Sequence, residues 1–443
     1  MAAIPAGSTW PLVGVARAAR DRRVIAWLSV GAGAAVGLAG LLGHALWLLV
    51  LGAAAVVALL AVLAPQFLLA IFLVAGGLKK EPGFVHSPVD LTVLTAAGVI
   101  LAIVTRAVRK EGIPRLPAAS ALGVTLASFA LISVLWSPLP VAGLDKELRF
   151  ETFTMAAFFA PMILIRRPAD LRRLMVFVVV FALFIAFTAV RGKGPQAPLI
   201  IAGGTSEIEL ALYTMTGVVA ALYLAIEGRS RWRVLWLVPA LVLGNTVIAA
   251  GSRGVLIAAM ITVPFMGIQA ARRARVKAVP IALLLVALVV AIAFGSQLAG
   301  AAGPKYAGLF SGGSTSTRLG KRNYYLEDGI SMALAHPLGL GASAYQAAYI
   351  TPYPHNALIE AVDEQGVIGA GLLAALMIAA FRSTLRRRGP RIRAEAILAG
   401  GLLIVYTVDA MGSQSFTQFR ELWFGMGLAL ALPRLARAGD TEP

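Results

Sequence analysis

Apolar runs long enough to cross a membrane, separated by short polar segments, dominate the chain. A helix needs about 20 apolar residues to span a bilayer, and runs of that order recur from residue 24 to residue 436. The pattern predicts an all-α polytopic integral membrane protein with about 12–14 transmembrane helices. The predicted spans are 24–42, 45–64, 66–78, 90–108, 118–136, 149–165, 174–190, 207–226, 234–250, 255–271, 278–296, 357–381, 395–411 and 421–436.

The composition supports this prediction and excludes a soluble protein. Hydrophobic residues make up 59% of the chain and charged residues 14%, whereas soluble domains average about 25% charged residues. The net charge of +18 could indicate a nucleic-acid-binding surface or basic cytoplasmic loops, and the positions of the basic residues distinguish the two. Most of them cluster after every second apolar run, as the positive-inside rule requires of cytoplasmic loops. We therefore expect membrane lipids as partners, and no nucleic acid.

The same alternation identifies the segments that face outward. The longest is 297–356, and we predict that it forms a large extracytoplasmic loop carrying short helices within a single transmembrane domain, 1–443. Its pattern becomes helical at Tyr324, and the HPLGLG segment at 336–341 ends that helix. The other predicted outer segments are 79–89, 137–148, 191–206, 251–254 and 412–420.

Arg253 is the first candidate binding residue. It lies in GSRG, a tight turn between two apolar runs, where glycines permit close backbone approach. A guanidinium group here suits an anionic ligand, because it forks onto phosphate oxygens and stays charged. The alternative is an arginine that extends to lipid headgroups from a helix end, and for an isolated arginine this is the commoner case.

A second basic group, TRLGKR at 317–322, opens the helical part of the large loop. Arg318, Lys321 and Arg322 would form another anion-binding wall, with the following tyrosines available to stack on sugars. The alternative is a solvated basic loop followed by an interfacial amphipathic helix.

His355, in the YPHN motif, is the candidate for acid–base chemistry. An imidazole can take up a proton near neutral pH, and Asn356 is predicted to cap the helix that follows. A structural histidine held in a turn is the alternative. His336 precedes a proline at a helix end and is interpreted as structural.

The acidic residues of the outer segments give weaker signals. Glu207 and Glu209 could form a metal pair, but the first turn of a helix also favours carboxylates. Glu360 and Asp363 follow His355 along the predicted helix and would orient a base or an acceptor, or make the helix start polar. The sequence has no cysteine and no outer-face cluster with metal-ligand spacing. We therefore predict no metal and no cofactor.

Three motifs in a fixed order carry a family resemblance. They are GSRG, then an arginine at Arg322 followed by HPLGLG, then PHN followed by a glutamate and GVIG. Over about 240–380 the ordered set resembles the O-antigen ligase family, the bacterial membrane polysaccharide ligases and polymerases that share a Wzy-C-type region.

The resemblance implies a function and a site. Members transfer glycans from a polyprenyl-diphosphate carrier to a glycan, lipid or protein acceptor at the outer face of the plasma (inner) membrane. Arg253 and Arg322 match the family's arginines and would bind the diphosphate. His355 matches the histidine that activates the acceptor. Such transfer needs no nucleotide, and with one base and no enzyme nucleophile it would invert the anomeric centre.

Other functions remain open at this point. Within the family, a ligase, a polysaccharide polymerase and a protein O-oligosaccharyltransferase share the donor chemistry and differ in the acceptor. Outside it, a lipid-linked glycan flippase or permease should carry charges along a transmembrane path, whereas here they concentrate at the two faces. A scaffold of an envelope-synthesis complex would not need His355.

Overall fold

A computed structural model shows that the protein is an all-α polytopic membrane protein. The structure describes residues 45–79, 90–109, 113–191, 199–200, 207–228, 231–274, 316–349, 351–386 and 393–440. Its helices are α1 Ala45–Leu63, α2 Pro65–Leu78, α3 Leu91–Val108, α4 Ser120–Ser133, α5 Pro140–Arg149, α6 Met155–Leu164, α7 Pro168–Thr188, α8 Glu207–Glu227, α9 Leu237–Ala250, α10 Arg253–Ala274, α11 Ser316–Ala335, α12 Ala344–Ala348, α13 Ala357–Leu385, α14 Arg393–Ala410 and α15 Arg420–Asp440.

Short irregular elements join some of these helices. Val134–Trp136 and Arg231–Trp236 are 3₁₀ turns, and Phe150–Thr154 is a π-helical turn that links α5 to α6. Two strands of two residues each, β1 Val190–Arg191 and β2 Leu199–Ile200, pair antiparallel beyond the end of α7.

Six helices of the described chain are long and apolar enough to cross a membrane. They are Leu91–Val108, Pro168–Thr188, Glu207–Glu227, Trp232–Ala250, Arg253–Arg272 and Ala357–Leu385. The predicted spans 395–411 and 421–436 also form helices, α14 and α15. The predicted spans 24–42 and 278–296 lie outside the described residues, so the total of about 12–14 spans stays a prediction.

Helices α8, α14 and α15 form the centre of the bundle. Helix α8 packs against α7, α9 and α14, while α15 packs against α6, α13 and α14. The Trp423 ring of α15 is fully buried and meets the rings of Phe150 and Phe158 edge-on, at 5.1 and 5.6 Å between centroids. This packing fixes both helices that border the α14–α15 turn, residues 411–419, at one end of the bundle.

The segment predicted as the outer loop 137–148 is largely helical. Helix α5 begins with Pro140, a residue favoured at the first helical position because it has no N–H to leave unsatisfied. Its apolar side chains Val141 and Leu148 are exposed, while Lys146 and Glu147 are buried. An interfacial helix turns apolar side chains to lipid, and here Lys146 and Glu147 lie on the face of α5 that packs against the protein.

The helix of the large loop also begins earlier than predicted. It starts at Ser316 rather than Tyr324, so the TRLGKR segment lies on its first turns. The predicted end is confirmed, because α11 stops at Ala335, directly before the HPLGLG segment.

A break in α13 anchors the HPLGLG segment. Gly366 has φ 70° and ψ −170° inside the helix. The carbonyls that this break leaves unpaired accept hydrogen bonds from the loop: Leu340 N donates to Asp363 O and Gly341 N to Glu364 O, both at 2.9 Å. Val367 N donates to Pro337 O at 2.8 Å in return. Such compensation is what a broken helix at a membrane boundary requires.

Candidate active site

The Pro-His-Asn motif forms a tight turn at the start of α13. His355 adopts φ 59°, a left-handed conformation that few residues other than glycine occupy. Asn356 caps the helix as predicted, because its Oδ1 accepts hydrogen bonds from Leu358 N at 3.0 Å and Ile359 N at 3.1 Å. Its Nδ2 donates to the carbonyl of Met411 at 3.0 Å. The motif is therefore tied to the α14–α15 turn.

The hydrogen bond made by His355 selects its tautomer. Nδ1 of His355 lies 3.3 Å from the carbonyl oxygen of Ser413. A carbonyl oxygen can only accept, so Nδ1 must carry the proton in this contact. The neutral ring then has its lone pair on Nε2. His355 is half-buried, which holds the ring in place while leaving it within reach of a ligand.

Two tyrosine rings flank the imidazole. The Tyr353 and Tyr325 rings lie 4.8 and 5.7 Å from it, centroid to centroid. Burial raises the pKa of Tyr353 to about 12, and the nearby carboxylates of Glu360, Asp409 and Glu209 act in the same direction. Tyr353 is therefore a neutral phenol at pH 7, and the imidazole is the better proton acceptor of the two.

Arg253 opens α10, a helix that packs against α14. It is the first residue of α10, directly after the turn in which Gly251 has φ 71°. A Cβ atom added at the neighbouring Gly254 would lie 4.0 Å from Asp409 Oδ1. Asp409 in turn accepts a hydrogen bond from Gln414 Nε2 at 2.8 Å. The start of α10 therefore lies beside the end of α14, the helix that leads into the turn contacted by His355.

The other basic candidates are located by their backbone only. Arg318, Lys321 and Arg322 lie on the first turns of α11, and their side chains fall outside the described part of the molecule. The same helix carries Tyr325, whose ring contacts that of His355. The backbone therefore puts Arg322 about one helical turn and Arg318 about two turns before Tyr325.

Glu207 and Glu209 lie in the first turn of α8, as predicted. Both are half-buried. The negative charge of Glu209 is among the causes that raise the pKa of Tyr353, so the first turn of α8 contributes to the electrostatics around the tyrosine next to His355.

Glu360 is fully buried and accepts hydrogen bonds on both carboxylate oxygens. Oε1 accepts from Lys146 Nζ at 2.6 Å and from Ser415 Oγ at 2.8 Å. Oε2 accepts from the backbone N–H of Phe416 at 2.9 Å. The carboxylate is thus occupied by protein donors and holds the α14–α15 turn.

Lys146 is shared with a second buried carboxylate. Its Nζ also lies 2.6 Å from Glu364 Oε1, which accepts from Ser343 N at 3.0 Å. Burial by itself would lower the pKa of Lys146, but Glu360 and Glu364 raise it well above the ordinary value. The ammonium group therefore stays charged.

Two further carboxyl groups are fully buried beside this cluster. Burial raises the pKa of Glu147 to about 8, against the opposing effect of Lys146, so Glu147 is protonated at pH 7. Asp363 packs near Gly329 of α11, where an added Cβ would lie 3.3 Å from its Oδ2. Among the residues that the structure describes, neither Glu147 nor Asp363 has a hydrogen-bond partner for its carboxyl oxygens.

Sequence reasoning did not assign roles to Lys146 or to the α14–α15 turn. One signal was available for Lys146, a basic residue in a segment predicted to face outward, next to apolar residues at helical spacing. No comparable signal marked the turn, because Met411, Ser413 and Phe416 act through backbone groups.

The described residues bring together no group of three or more histidine or acidic side chains that could hold a metal ion. They do bring an imidazole and the carboxylates of Glu360 and Asp409 to one turn, with the start of α10, which carries Arg253, beside the helix before it. This set can take up a proton and bind an anion.

A comparison with protein families agrees with the ordered motifs. Residues 238–374 match the family model described as O-antigen ligase, a stretch that includes Arg253, Arg322 and His355. No curated protein matches the chain. The family match supports a membrane glycosyl-transfer or ligase function. The chain is thus a multi-pass membrane protein whose residues 238–374 match the O-antigen ligase family model, in the region where its three motifs predicted the resemblance.

Proposed function

We propose that the protein transfers a glycan from a polyprenyl-diphosphate carrier to an acceptor at the outer face of the plasma membrane. The acceptor is a hydroxyl or amine of a glycan, lipid or protein. The observation that carries the proposal is the contact between His355 Nδ1 and the Ser413 carbonyl, which puts the lone pair of the neutral ring on Nε2, the atom that we propose as the base.

The proposed reaction breaks one bond and forms one. The acceptor oxygen or nitrogen bonds to the anomeric carbon, and the bond from that carbon to the diphosphate oxygen breaks. Nε2 of His355 takes the acceptor's proton, and the prenyl diphosphate leaves with the bonding electron pair. A general base of this kind contributes roughly 10²–10⁴-fold to a rate. Direct displacement inverts the configuration at the anomeric carbon.

Arginines are suited to the leaving group. Negative charge gathers on the diphosphate as the glycosidic bond breaks, and fixed guanidinium groups stabilise developing charge without reorganisation. Arg253 follows a tight turn and begins α10, which favours a fixed guanidinium group there. We assign Arg253 and Arg322 to the diphosphate, with Arg318 and Lys321 adding to the positive wall. Glu207 and Glu209 are assigned to acceptor orientation.

A purified assay tests this proposal. The protein, reconstituted in lipid, is supplied with a defined polyprenyl-diphosphate oligosaccharide and a panel of acceptors, and the anomeric linkage of the product is read by NMR. We expect acceptor-dependent transfer with inverted configuration. Retention of configuration, or movement of intact donor across the bilayer without transfer, would contradict the proposal, the latter in favour of a flippase.

Transfer is expected to survive chelation of divalent ions. The proposed chemistry stabilises the diphosphate with guanidinium groups, so excess EDTA in the same assay should leave the initial rate unchanged. The control adds magnesium or manganese back after chelation. A rate that collapses with EDTA and returns with the divalent ion would refute metal independence and make Glu207 and Glu209 candidate ligands.

Arg253→Ala is expected to weaken donor binding. A lost charge-assisted hydrogen bond costs about 1.5–3 kcal/mol, which corresponds to about tenfold or more in affinity. Arg253→Lys should recover little of it, because lysine keeps the charge but not the planar fork. Binding of labelled donor to detergent-purified protein measures both variants.

A matched control uses an arginine far from the site. Arg172 of α7 is exposed and pairs with Glu227 at 3.6 Å, so Arg172→Ala should bind donor like the wild type. Equal donor affinity in Arg253→Ala and Arg172→Ala would leave Arg253 as a lipid-facing arginine only.

A further inference from the structure

A buried ion cluster lies beneath the candidate active site. Lys146, on α5, pairs with two carboxylates one turn apart on α13, Glu360 and Glu364. The two glutamates are fully buried and the lysine is 7% exposed. Breaking a buried pair by removing one partner leaves an uncompensated charge in a medium of low dielectric. The cluster therefore fixes α5 and α13 relative to each other.

Glu360 also connects the α14–α15 turn to this cluster. Its two oxygens receive the Ser415 hydroxyl and the Phe416 backbone N–H. Ser415 lies 3.0 Å from the Thr417 hydroxyl, and Thr154 Oγ1 donates to the Thr417 carbonyl at 2.6 Å. All of these groups are buried. The second half of the turn is thereby bonded to the carboxylate of Glu360, which cannot move without breaking its ion pair with Lys146.

The first half of the same turn holds the histidine motif. Met411 O accepts from Asn356, and Ser413 O accepts from His355 Nδ1. Glu360 itself lies one helical turn beyond Asn356, to whose carbonyl its own backbone N–H donates at 3.0 Å. The start of α13 and the turn therefore meet at three successive points. The Ser413 carbonyl lies between the points fixed by Asn356 and by Glu360.

We propose that Glu360 and Lys146 are positioning residues for His355. They hold the α14–α15 turn so that the Ser413 carbonyl keeps the proton of the imidazole on Nδ1. This inference rests on the proposed role of His355 as a base. To act as a base, the ring must have its lone pair on Nε2. If the Ser413 carbonyl moves away from Nδ1, the ring can adopt the tautomer with the proton on Nε2, and Nε2 then has no lone pair to accept a proton.

Glu360→Gln tests the proposal with the least disturbance of shape. Glutamine keeps the volume but loses the charge that strengthens the contacts with Ser415, Phe416 and Lys146. Misplacing a catalytic group by about 1 Å can cost on the order of 10²-fold in rate, so we expect kcat to fall by roughly 10–100-fold. The KM for donor should stay at the wild-type value, because the donor site is not touched.

The tautomer is read directly by NMR of protein carrying ¹⁵N-labelled histidine. The signals of His355 are assigned by their loss in His355→Gln. In the wild type we expect a protonated Nδ1 and an unprotonated Nε2. In Glu360→Gln the population should shift toward a protonated Nε2. Ser415→Ala, which removes one contact and no charge, should shift it in the same direction by less.

The chain offers a matched control on the same helix. Arg149 of α5 pairs with Asp145 at 2.9 Å, but both side chains are more than half exposed. Surface pairs of this kind contribute little. Arg149→Met should therefore change neither the tautomer nor kcat.

The outcomes separate this inference from the proposed function. A folded Glu360→Gln variant with the wild-type tautomer would overturn the inference, whatever its kcat. A shifted tautomer with reduced kcat supports it. If His355→Gln transfers glycan at the wild-type rate, the role of His355 as the base fails instead, and the NMR comparison still shows whether Glu360 controls the ring. Absence of any glycan transfer by the wild type would count against the proposed function itself.

Discussion

His355→Ala is expected to reduce turnover by roughly 10²–10⁴-fold while donor binding stays near the wild-type value. The imidazole is the proposed base, and the diphosphate is held by arginines, so the variant loses proton transfer but not the donor contacts. Single-turnover rate and donor affinity, measured on the same detergent-purified protein, separate the two effects.

The control for this variant is the other histidine of the large loop. The His336 side chain is exposed at the end of α11, before Pro337, and His336→Ala should transfer at the wild-type rate. Wild-type turnover in His355→Ala would show that His355 is structural and would direct the search for the base to Glu207 and Asp363, since both Glu360 oxygens are held by protein donors.

The backbone of His355 is consistent with a functional constraint. A residue other than glycine at φ 59° costs on the order of 1–3 kcal/mol and persists only where its surroundings enforce it. Here the helix cap of Asn356 and the contact with Ser413 do so. The strain is thus located at the residue to which the chemistry is assigned.

Gly366→Ala is expected to disrupt the fold around the site. Gly366 has φ 70° and ψ −170°, a conformation that is essentially restricted to glycine and costs other residues about 1–3 kcal/mol. A Cβ at this position would also lie 2.4 Å from the carbonyl carbon of Leu338 and 2.7 Å from the carbonyl oxygen of Pro337. Backbone atoms cannot rotate away, so the HPLGLG segment must move.

The expected result is a lower apparent melting temperature together with loss of transfer. The displacement breaks the hydrogen bond from Val367 N to Pro337 O. It also loosens the contacts of Leu340 and Gly341 with α13. Thermal unfolding in detergent, followed by fluorescence or size exclusion, measures the change.

A second glycine of the same helix serves as the control. Gly371 has no heavy atom within 4 Å of an added Cβ and lies in regular helix. Gly371→Ala should be neutral or stabilise the protein by about 0.5–1 kcal/mol, since alanine loses less backbone entropy in a helix. Equal melting temperatures for the two variants would contradict the role assigned to the break at Gly366.

The helices were predictable because their cause is local. A run of apolar residues forms a helix in lipid whatever its neighbours do, since each backbone group must be satisfied within the segment. The predicted spans accordingly match α1 to α4, α7 to α10 and α13 to α15 to within a few residues. Helix α5 was not predicted, because its charged residues are typical of a polar loop in the sequence pattern.

The assignment of individual site residues was predictable to a smaller extent. Asn356 and the two glutamates of α8 follow from local rules for helix starts, and the structure confirms their positions. The match to the O-antigen ligase family model at 238–374 was predictable from three ordered motifs. Lys146 and Glu360 were not recognised as a pair, because 214 positions separate them in the chain.

The sequence by itself determined that the chain is an all-α membrane protein, how its helices start, and which motifs it carries. Each of these depends on residues within one helix or one turn of each other. Only the tertiary structure decided that the α14–α15 turn, more than 50 residues beyond His355 in the chain, touches His355, Asp409 and Glu360. The same is true of Lys146 on α5, the cation that compensates the buried charge of Glu360. The reason is physical: a buried charge is stable only beside its partner, and packing, not spacing along the chain, determines which partner that is.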